Sequence, residues 1–186
     1  MVVAATHQMI SASTRRSPEL TRAIKHWEST AKEKAVAERT AFADLVEQRF
    51  LFLQDHGFRM TRKVEYPSFD NAEVVFDSRR CRIRLFRDRG IVSVDLAPPA
   101  PSEAWFDIAT VVYHLSDGGD RAGEYRLPDF DTNDQRTDWQ LRRWADILKP
   151  YLDRACQAFS EVPADTMAQR LTAALYDRLA RGPHTV

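Results

Sequence analysis

A group of arginines in the middle of the chain is the part of the sequence best suited to molecular recognition. Five of them lie close together: Arg80, Arg82, Arg84, Arg87 and Arg89. The planar guanidinium group of arginine binds carboxylates and phosphates through two parallel hydrogen bonds, which the compact ammonium group of lysine cannot do. The sequence therefore predicts a binding surface, with these five residues as its candidate contacts.

The same arginines also have a purely structural interpretation. On adjacent antiparallel strands, Arg82 and Arg84 could pair with Glu73, Asp77 or Asp95 and form a charged, soluble sheet face. The chain has 27 basic and 27 acidic residues and no net charge, which argues against a dedicated nucleic-acid binder. If the arginines do contact a partner, we expect a protein with an acidic surface, or this chain's own acidic loop.

Carboxylates accumulate between residues 116 and 138. Asp129, Asp131 and Asp134, with His114 before them, could bind a hard cation or carry protons in a small hydrolase. Their spacing does not match a calcium-binding loop, and His114 has no acid or base next to it in sequence. A solvated acidic loop is the simpler interpretation. We predict no catalytic residue, no metal site and no cofactor.

Motifs for other chemistry are missing from the sequence. It has no glycine-rich phosphate loop and no Gly-x-Ser-x-Gly segment for a nucleophilic serine. The two cysteines, Cys81 and Cys156, are far apart in sequence and form no Cys-x-x-Cys pair. Because free cysteine behaves as a small apolar residue, we expect two buried free thiols.

The arginines fall within a segment that reads as a sheet. Residues 72–77, 81–87 and 91–96 alternate polar and apolar side chains and are joined by short polar turns, which indicates a β-meander. In the second run, Ile83 and Leu85 should face the core while the intervening arginines face outward. The sequence predicts an α+β fold in which a three- to four-stranded antiparallel β-meander packs with N- and C-terminal helices.

Predicted boundaries follow from caps and helix-breaking residues. Residues 1–16 are expected to form a flexible tail and residues 17–182 a single domain. Within it, residues 17–57 should be helical up to Gly57, residues 58–97 should form the meander, and residues 102–182 should be helical apart from the acidic loop 116–138.

Three details of the C-terminal helical region are predicted from single residues. Ser102 should cap the first helix, and a capping box of Thr137 and Gln140 should begin the next one. Pro150 should kink or split that helix, because proline lacks the amide hydrogen that a helix interior needs.

The tryptophans divide between core and surface. Trp139 and Trp144 are five positions apart and cannot share one face of a straight helix, so one of them should lie in the core. The other, with Trp27 or Trp105, is expected at an interface, where aromatic side chains concentrate.

Part of this pattern resembles a known group of proteins. A helix end followed by a Gly-Phe step (residues 52–58), a strand (74–78) and a strand with an Asp-Arg-Gly turn (83–90) are similar to small bacterial proteins of unknown function, some of which resemble immunity proteins of toxin systems. The resemblance covers roughly residues 40–115. It implies a non-enzymatic role and carries no catalytic motif.

The leading hypothesis is therefore a non-enzymatic, immunity-like protein-binding module that recognises its partner by charge complementarity. Two alternatives stay open: a metal-dependent hydrolase or other small enzyme using the acidic loop, and an oligomeric structural protein assembled through the N-terminal helix. No window approaches the roughly 20 apolar residues of a membrane span, and residues 1–13 do not read as a secretory leader. We expect a cytoplasmic location and no membrane association.

Overall fold

The computed structural model describes residues 42–66, 71–120 and 126–181, together with Arg22 and His26. The chain divides into two compact units, Met1–Ala37 and Glu38–Val186, and the following description concerns the second. The predicted tail and almost all of the predicted N-terminal helix before residue 42 lie outside the described residues.

A sheet of five antiparallel strands forms the centre of the second unit. The strands are hydrogen-bonded in chain order: β1 Arg59–Tyr66, β2 Asn71–Asp77, β3 Arg82–Asp88, β4 Ile91–Ala97 and β5 Phe106–Asp107. The α+β class and the antiparallel meander are confirmed. The predicted count of three or four strands is wrong, because β5 forms in a segment that was expected to be helical.

Helices precede and follow the sheet. Residues 42–49 (α1) and Phe52–Asp55 (α2) come before it, and Gly57 ends this region with a φ of +80°, as predicted for a residue that must adopt the left-handed conformation. The helices after the sheet are α3 Ile108–Leu115, α4 Asn133–Leu148, α5 Leu152–Glu161 and α6 Ala164–Ala180.

Two predicted helix starts are wrong. Helix α3 is capped by Asp107 and not by Ser102: the Asp107 carboxylate accepts hydrogen bonds from the backbone amides of Ala109 and Thr110, at 2.9 and 3.2 Å. Helix α4 is capped by Thr132, five residues before the predicted capping box. In both cases another residue of a type that caps well begins the helix: an aspartate five positions after Ser102 and a threonine five positions before Thr137.

The predicted effect of Pro150 is confirmed. A short 3-10 segment, Lys149–Tyr151, separates α4 from α5 and carries the proline, where its missing amide hydrogen costs no helical hydrogen bond.

The alternation of the central strands is confirmed by burial. Ile83 and Leu85 on β3, and Val92, Val94 and Leu96 on β4, are buried in one hydrophobic core with the apolar side chains of the helices. We call this the inner face of the sheet. Arg82 and Arg84 lie on the opposite, outer face, as predicted from the two-residue period of a strand.

Helix α4 is attached to the sheet by hydrogen bonds as well as by packing. The buried amide of Gln140 donates to the carbonyl of Gly90 (2.9 Å) and accepts from the amide of Val92 (3.0 Å). The indole of Trp144 donates to the carbonyl of Val92 (2.9 Å). Strand β5 pairs only with Asp95 and Leu96. The side chains of Gln140 and Trp144 therefore supply hydrogen bonds to the backbone at the start of β4, which β5 does not reach.

Helix α1 is tied to α4 through a carboxylate. Arg49 and Arg142 each approach Asp138 at 2.7 Å. Burial raises the pKa of Asp138, but the hydrogen bonds and charges of the two arginines outweigh it and hold this pKa below its usual value.

The prediction of two free thiols is wrong. Cys81, immediately before β3, and Cys156, on α5, are both fully buried and form a disulfide, with their Cα atoms 5.2 Å apart. Burial was predicted correctly, but their proximity could not be read from two cysteines separated by 75 positions.

Candidate partner-binding site

The outer face of the sheet carries rows of charged side chains that run across the strands. The strand register places Arg62 opposite Val75, Val75 opposite Arg84, and Arg84 opposite Asp95. Because residues directly opposite one another on antiparallel strands have adjacent side chains, the register itself sets which charges can pair.

Arg84 is paired within the sheet. Its Nη2 and Nε atoms donate to one carboxylate oxygen of Asp95, at 2.5 and 3.2 Å. Arg62 makes a similar contact with Glu73 at 3.2 Å. The structural interpretation of these outward charges is therefore correct for Arg84.

Arg82 is held differently, by neutral groups. Its Nε donates to the carbonyl oxygen of Pro98 (3.0 Å), and its Nη2 donates to the carbonyl oxygen of Ser102. Both carbonyls belong to the proline-rich connector that follows β4. The connector therefore fixes the direction of the Arg82 guanidinium without neutralising its charge.

Trp105 lies over both arginines. The central guanidinium carbon atoms of Arg82 and Arg84 lie 4.8 and 4.6 Å from the centre of the Trp105 ring, within the range of cation–π attraction. The tryptophan and both arginines are half-buried. The three side chains restrain one another, so the two guanidinium groups lose little further freedom when they bind a ligand.

These side chains line a cavity of about 490 Å³ on the outer face, which we call the sheet groove. Six residues that line it carry the chemistry discussed below: Arg62, Glu73, Asp77, Arg82, Arg84 and Trp105. Exposed Glu103 lies at its edge. One oxygen of Asp77 accepts from the hydroxyl of Thr61 (2.7 Å), while the other is buried without a partner. The groove thus contains both signs of charge.

Arg80 lies away from the groove, in the turn between β2 and β3. It contacts Asp153 of α5 at 3.0 Å, and His56 approaches the same carboxylate oxygen at 3.4 Å. The hydrogen bond from Arg80 and the charge of His56 hold the pKa of Asp153 below its usual value, against a smaller effect of burial. The exposed Asp153 makes this a surface contact of small energy.

The other two candidates are also outside the groove. Arg87 lies on the inner face, is only 2% exposed and places its guanidinium 4.9 Å from the centre of the Phe42 ring, so it cannot contact a partner while the core is intact. Arg89 is exposed in the turn after β3, beside Asp88 at 3.5 Å. The structure therefore places the five candidate arginines as two groove residues, two turn residues and one core residue.

The residues of the proposed hydrolase are not brought together. Asp129 and Asp131 are exposed just before α4, and Asp134 is exposed in its first turn. Among the described residues, no three His, Cys, Asp or Glu side chains are close enough to hold a metal ion. In the part of the chain that is described, the acidic loop therefore forms no cluster of metal ligands of the kind that a metal-dependent hydrolase needs.

His114 lines a separate, shallow cavity of about 380 Å³ between α3 and α6. Beside it, Tyr113 donates to Asp177 at 2.6 Å and Arg181 contacts the same carboxylate at 2.9 Å. The hydrogen bond from Tyr113 lowers the pKa of Asp177, with a further contribution from Arg181 against burial. This cluster keeps Asp177 ionised and joins the two helices.

A larger cavity, of about 570 Å³, lies between the first helices and β1. Its apolar lining comes from Phe50, Phe58, Met60 and Phe76, with Glu47, Gln54 and Arg59 around them. None of the candidate site residues predicted from the sequence lines it. The sheet groove remains the place where two of those residues meet.

Sequence reasoning named Trp105 as an interface candidate but did not connect it with the arginines. The segment was expected to be a helix capped by Ser102, whereas Trp105 lies immediately before β5 and contacts the arginines of β3. The four residues Pro-Pro-Ala-Pro at 98–101 were the available signal, because prolines end a strand and favour a turn. Residues 99–102 do form a turn, closed by a hydrogen bond from the amide of Ser102 to the carbonyl of Pro99, and the chain then returns to pair with β4.

No protein-family model, curated protein or solved structure compared with the chain matches it. The resemblance to immunity-like proteins therefore stays a prediction. In the described part of the chain, no helix has the length and apolar character needed to span a bilayer.

Proposed function

We propose that this chain is a non-enzymatic, immunity-like protein-binding module and that the sheet groove is its recognition surface. The observation that carries the proposal is the contact of Arg82 and Arg84 with Trp105 above a cavity of about 490 Å³. Tryptophan and arginine are the residues most enriched at the energetic centres of protein interfaces.

Pre-organisation supports the same proposal. Arginine side chains on a free surface lose much rotamer freedom when they bind. Here Arg84 is already held by Asp95, and Arg82 by two backbone carbonyls. The groove contains both positive and negative side chains, so it favours a specific partner over a general polyanion. A polyanion would place some of its negative charges next to the carboxylates of the groove, which costs free energy.

The two alternatives have less support. The hydrolase depended on residues that the structure leaves apart, as described above. The oligomeric protein depended on the N-terminal helix, whose residues lie almost entirely outside the described part of the chain, so it stays a prediction. Cytoplasmic location also stays a prediction, and a disulfide is uncommon in that compartment.

The test compares two tryptophans of similar exposure. Tagged protein captures partners from host extract, mass spectrometry identifies them, and the purified partner is titrated against wild type, Trp105→Ala and Trp139→Ala. Trp139 is half-buried on α4 and packs against Phe130 at 5.8 Å, outside the groove. Thermal melting of each variant shows that it is folded.

We expect Trp105→Ala to raise the dissociation constant at least about tenfold, the effect of a modest interface hot spot. Trp139→Ala should change it by less than about twofold. If every captured partner binds the two variants and wild type equally, the groove is not the recognition surface and the proposal is wrong.

A further inference from the structure

We infer that the sheet groove binds a carboxylate from an acidic segment of the partner, held between Arg82 and Arg84. This inference rests on the proposed function and adds the chemical identity of the anchoring group. It is drawn from the donors that the two guanidinium groups leave open, from their position on one strand, and from the charges around them.

Each arginine uses the same two nitrogen atoms within the fold. Arg82 spends Nε and Nη2 on the carbonyls of Pro98 and Ser102, and Arg84 spends Nε and Nη2 on Asp95. Among the described residues, Nη1 of Arg82 and Nη1 of Arg84 have no protein acceptor. Neither atom is among the buried polar atoms that lack a partner, so both are accessible to solvent. Two guanidinium donors therefore remain accessible at the groove.

The spacing of these donors suits one carboxylate. Arg82 and Arg84 are two positions apart on β3, so their side chains leave the same face about 6.5 to 7 Å apart. A carboxylate placed between them can accept one hydrogen bond of about 2.9 Å from each side. Trp105 contacts both guanidinium groups and keeps them side by side.

The local charges disfavour a doubly charged anion more than a singly charged one. The charges of Arg84 and Arg62 are matched by Asp95 and Glu73, whereas Arg82 is held only by neutral carbonyls. Asp77, which faces Arg82 across the strands, and Glu103 also line the groove. Their charges would oppose a phosphate group carrying close to two negative charges, while a carboxylate carries one.

The probe is a short capped peptide, acetyl-Gly-Glu-Glu-Gly-amide, compared with the same peptide containing glutamine in place of glutamate, and with inorganic phosphate. Nuclear magnetic resonance follows the indole N–H of Trp105, assigned by its loss in Trp105→Phe. We expect the glutamate peptide to shift this signal saturably at millimolar concentration, and the glutamine peptide and phosphate to shift it much less.

A pair of lysine variants tests the geometry. Arg82→Lys with Arg84→Lys keeps both charges but removes the open Nη1 donors, and should weaken binding of the glutamate peptide at least about tenfold. Arg126→Lys, at an exposed arginine outside the groove, is the matched control and should have no effect. The comparison of glutamate with glutamine on wild type needs no variant and stands even if the double variant does not fold.

Equal binding of the two peptides, tighter binding of phosphate, or unchanged binding by the folded lysine variant would each overturn the inference. These outcomes are distinguishable from failure of the proposed function. If a partner needs Trp105 but the glutamate and glutamine peptides bind equally, the proposed function stands and the carboxylate inference is wrong. If the protein prefers the glutamate peptide but no captured partner needs Trp105, the groove binds a carboxylate and the proposed function is wrong.

Discussion

The clearest quantitative prediction concerns Gln140, which replaces a missing strand at the edge of β4. Its side chain is fully buried and bonds both the carbonyl of Gly90 and the amide of Val92. We predict that Gln140→Met destabilises the protein, although methionine has a similar size, a similar helix propensity and a more hydrophobic side chain.

The magnitude follows from what the substitution leaves unpaired. A buried backbone donor or acceptor without a partner costs about 1 to 3 kcal/mol, and two such groups lose their partner here. The greater hydrophobicity of methionine offsets part of that cost. We expect the free energy of unfolding to fall by about 2 to 3 kcal/mol. For a chain of this size, this lowers the midpoint of thermal unfolding by roughly 4 to 12 °C.

The assay is urea denaturation of wild type, Gln140→Met and a matched control, Gln157→Met. Gln157 is an exposed glutamine on α5 that bonds Glu161 at 3.0 Å on the surface, so its replacement should change stability by less than about 0.5 kcal/mol. Hydrogen exchange gives a local readout, because the Val92 amide should exchange faster in Gln140→Met.

Two results would refute this reasoning. One is a loss of less than about 0.5 kcal/mol in Gln140→Met, which would mean that water or a backbone shift replaces the amide at no cost. The other is an unchanged exchange rate at Val92 despite a large loss of stability, which would place the effect elsewhere in the core.

Three further predictions test other parts of the fold. Asp138→Asn should lower the free energy of unfolding by roughly 1 kcal/mol at neutral pH. Because the folded-state pKa of Asp138 is lowered, the stability advantage of wild type should be complete above about pH 4 and lost as the pH falls through that lowered pKa. Denaturant titrations that give equal losses at pH 7 and pH 3 would contradict this. Gly57→Ala and Gly118→Ala both place a side chain at positive φ, but only at Gly118 would the new Cβ meet a neighbouring atom, 3.0 Å away. Thermal melting should show a loss of stability of about 1 kcal/mol for Gly57→Ala and a larger loss for Gly118→Ala. The opposite order would be evidence against the described turn. Reduction of the Cys81–Cys156 disulfide should destabilise the protein by up to about 4 kcal/mol. Alkylation of the unfolded, unreduced protein, followed by mass spectrometry, should label neither cysteine. Labelling of both cysteines would support the original prediction of free thiols.

Much of the sheet could be predicted because its information is local. The alternation along β3 and β4 decides which side chains point inward, since a strand places neighbours on opposite faces regardless of what surrounds it. The same holds for Gly57 and for Pro150, whose backbone restrictions act wherever the residue occurs. These residues needed no knowledge of distant contacts.

Arg87 shows where the same reasoning stopped. The alternation that sends Arg84 outward sends Arg87 inward, and the pattern alone placed a charged residue among the core positions. Assigning it to the binding surface gave its charge priority over its position in the strand. Its proximity to Phe42 depends on a helical residue 45 positions earlier in the chain, which no local pattern reveals.

The sequence by itself determined the class of fold, the face to which Arg82 and Arg84 belong and the burial of both cysteines, because each depends on the chain's own periodicity and polarity. Only the tertiary structure decided that Trp105 covers the arginines, that Asp107 begins the next helix, that Gln140 completes the edge of β4 and that the cysteines meet. Those outcomes are pairings between segments distant in sequence. Many such pairings are compatible with the same local pattern, and the packing of the whole core selects one of them.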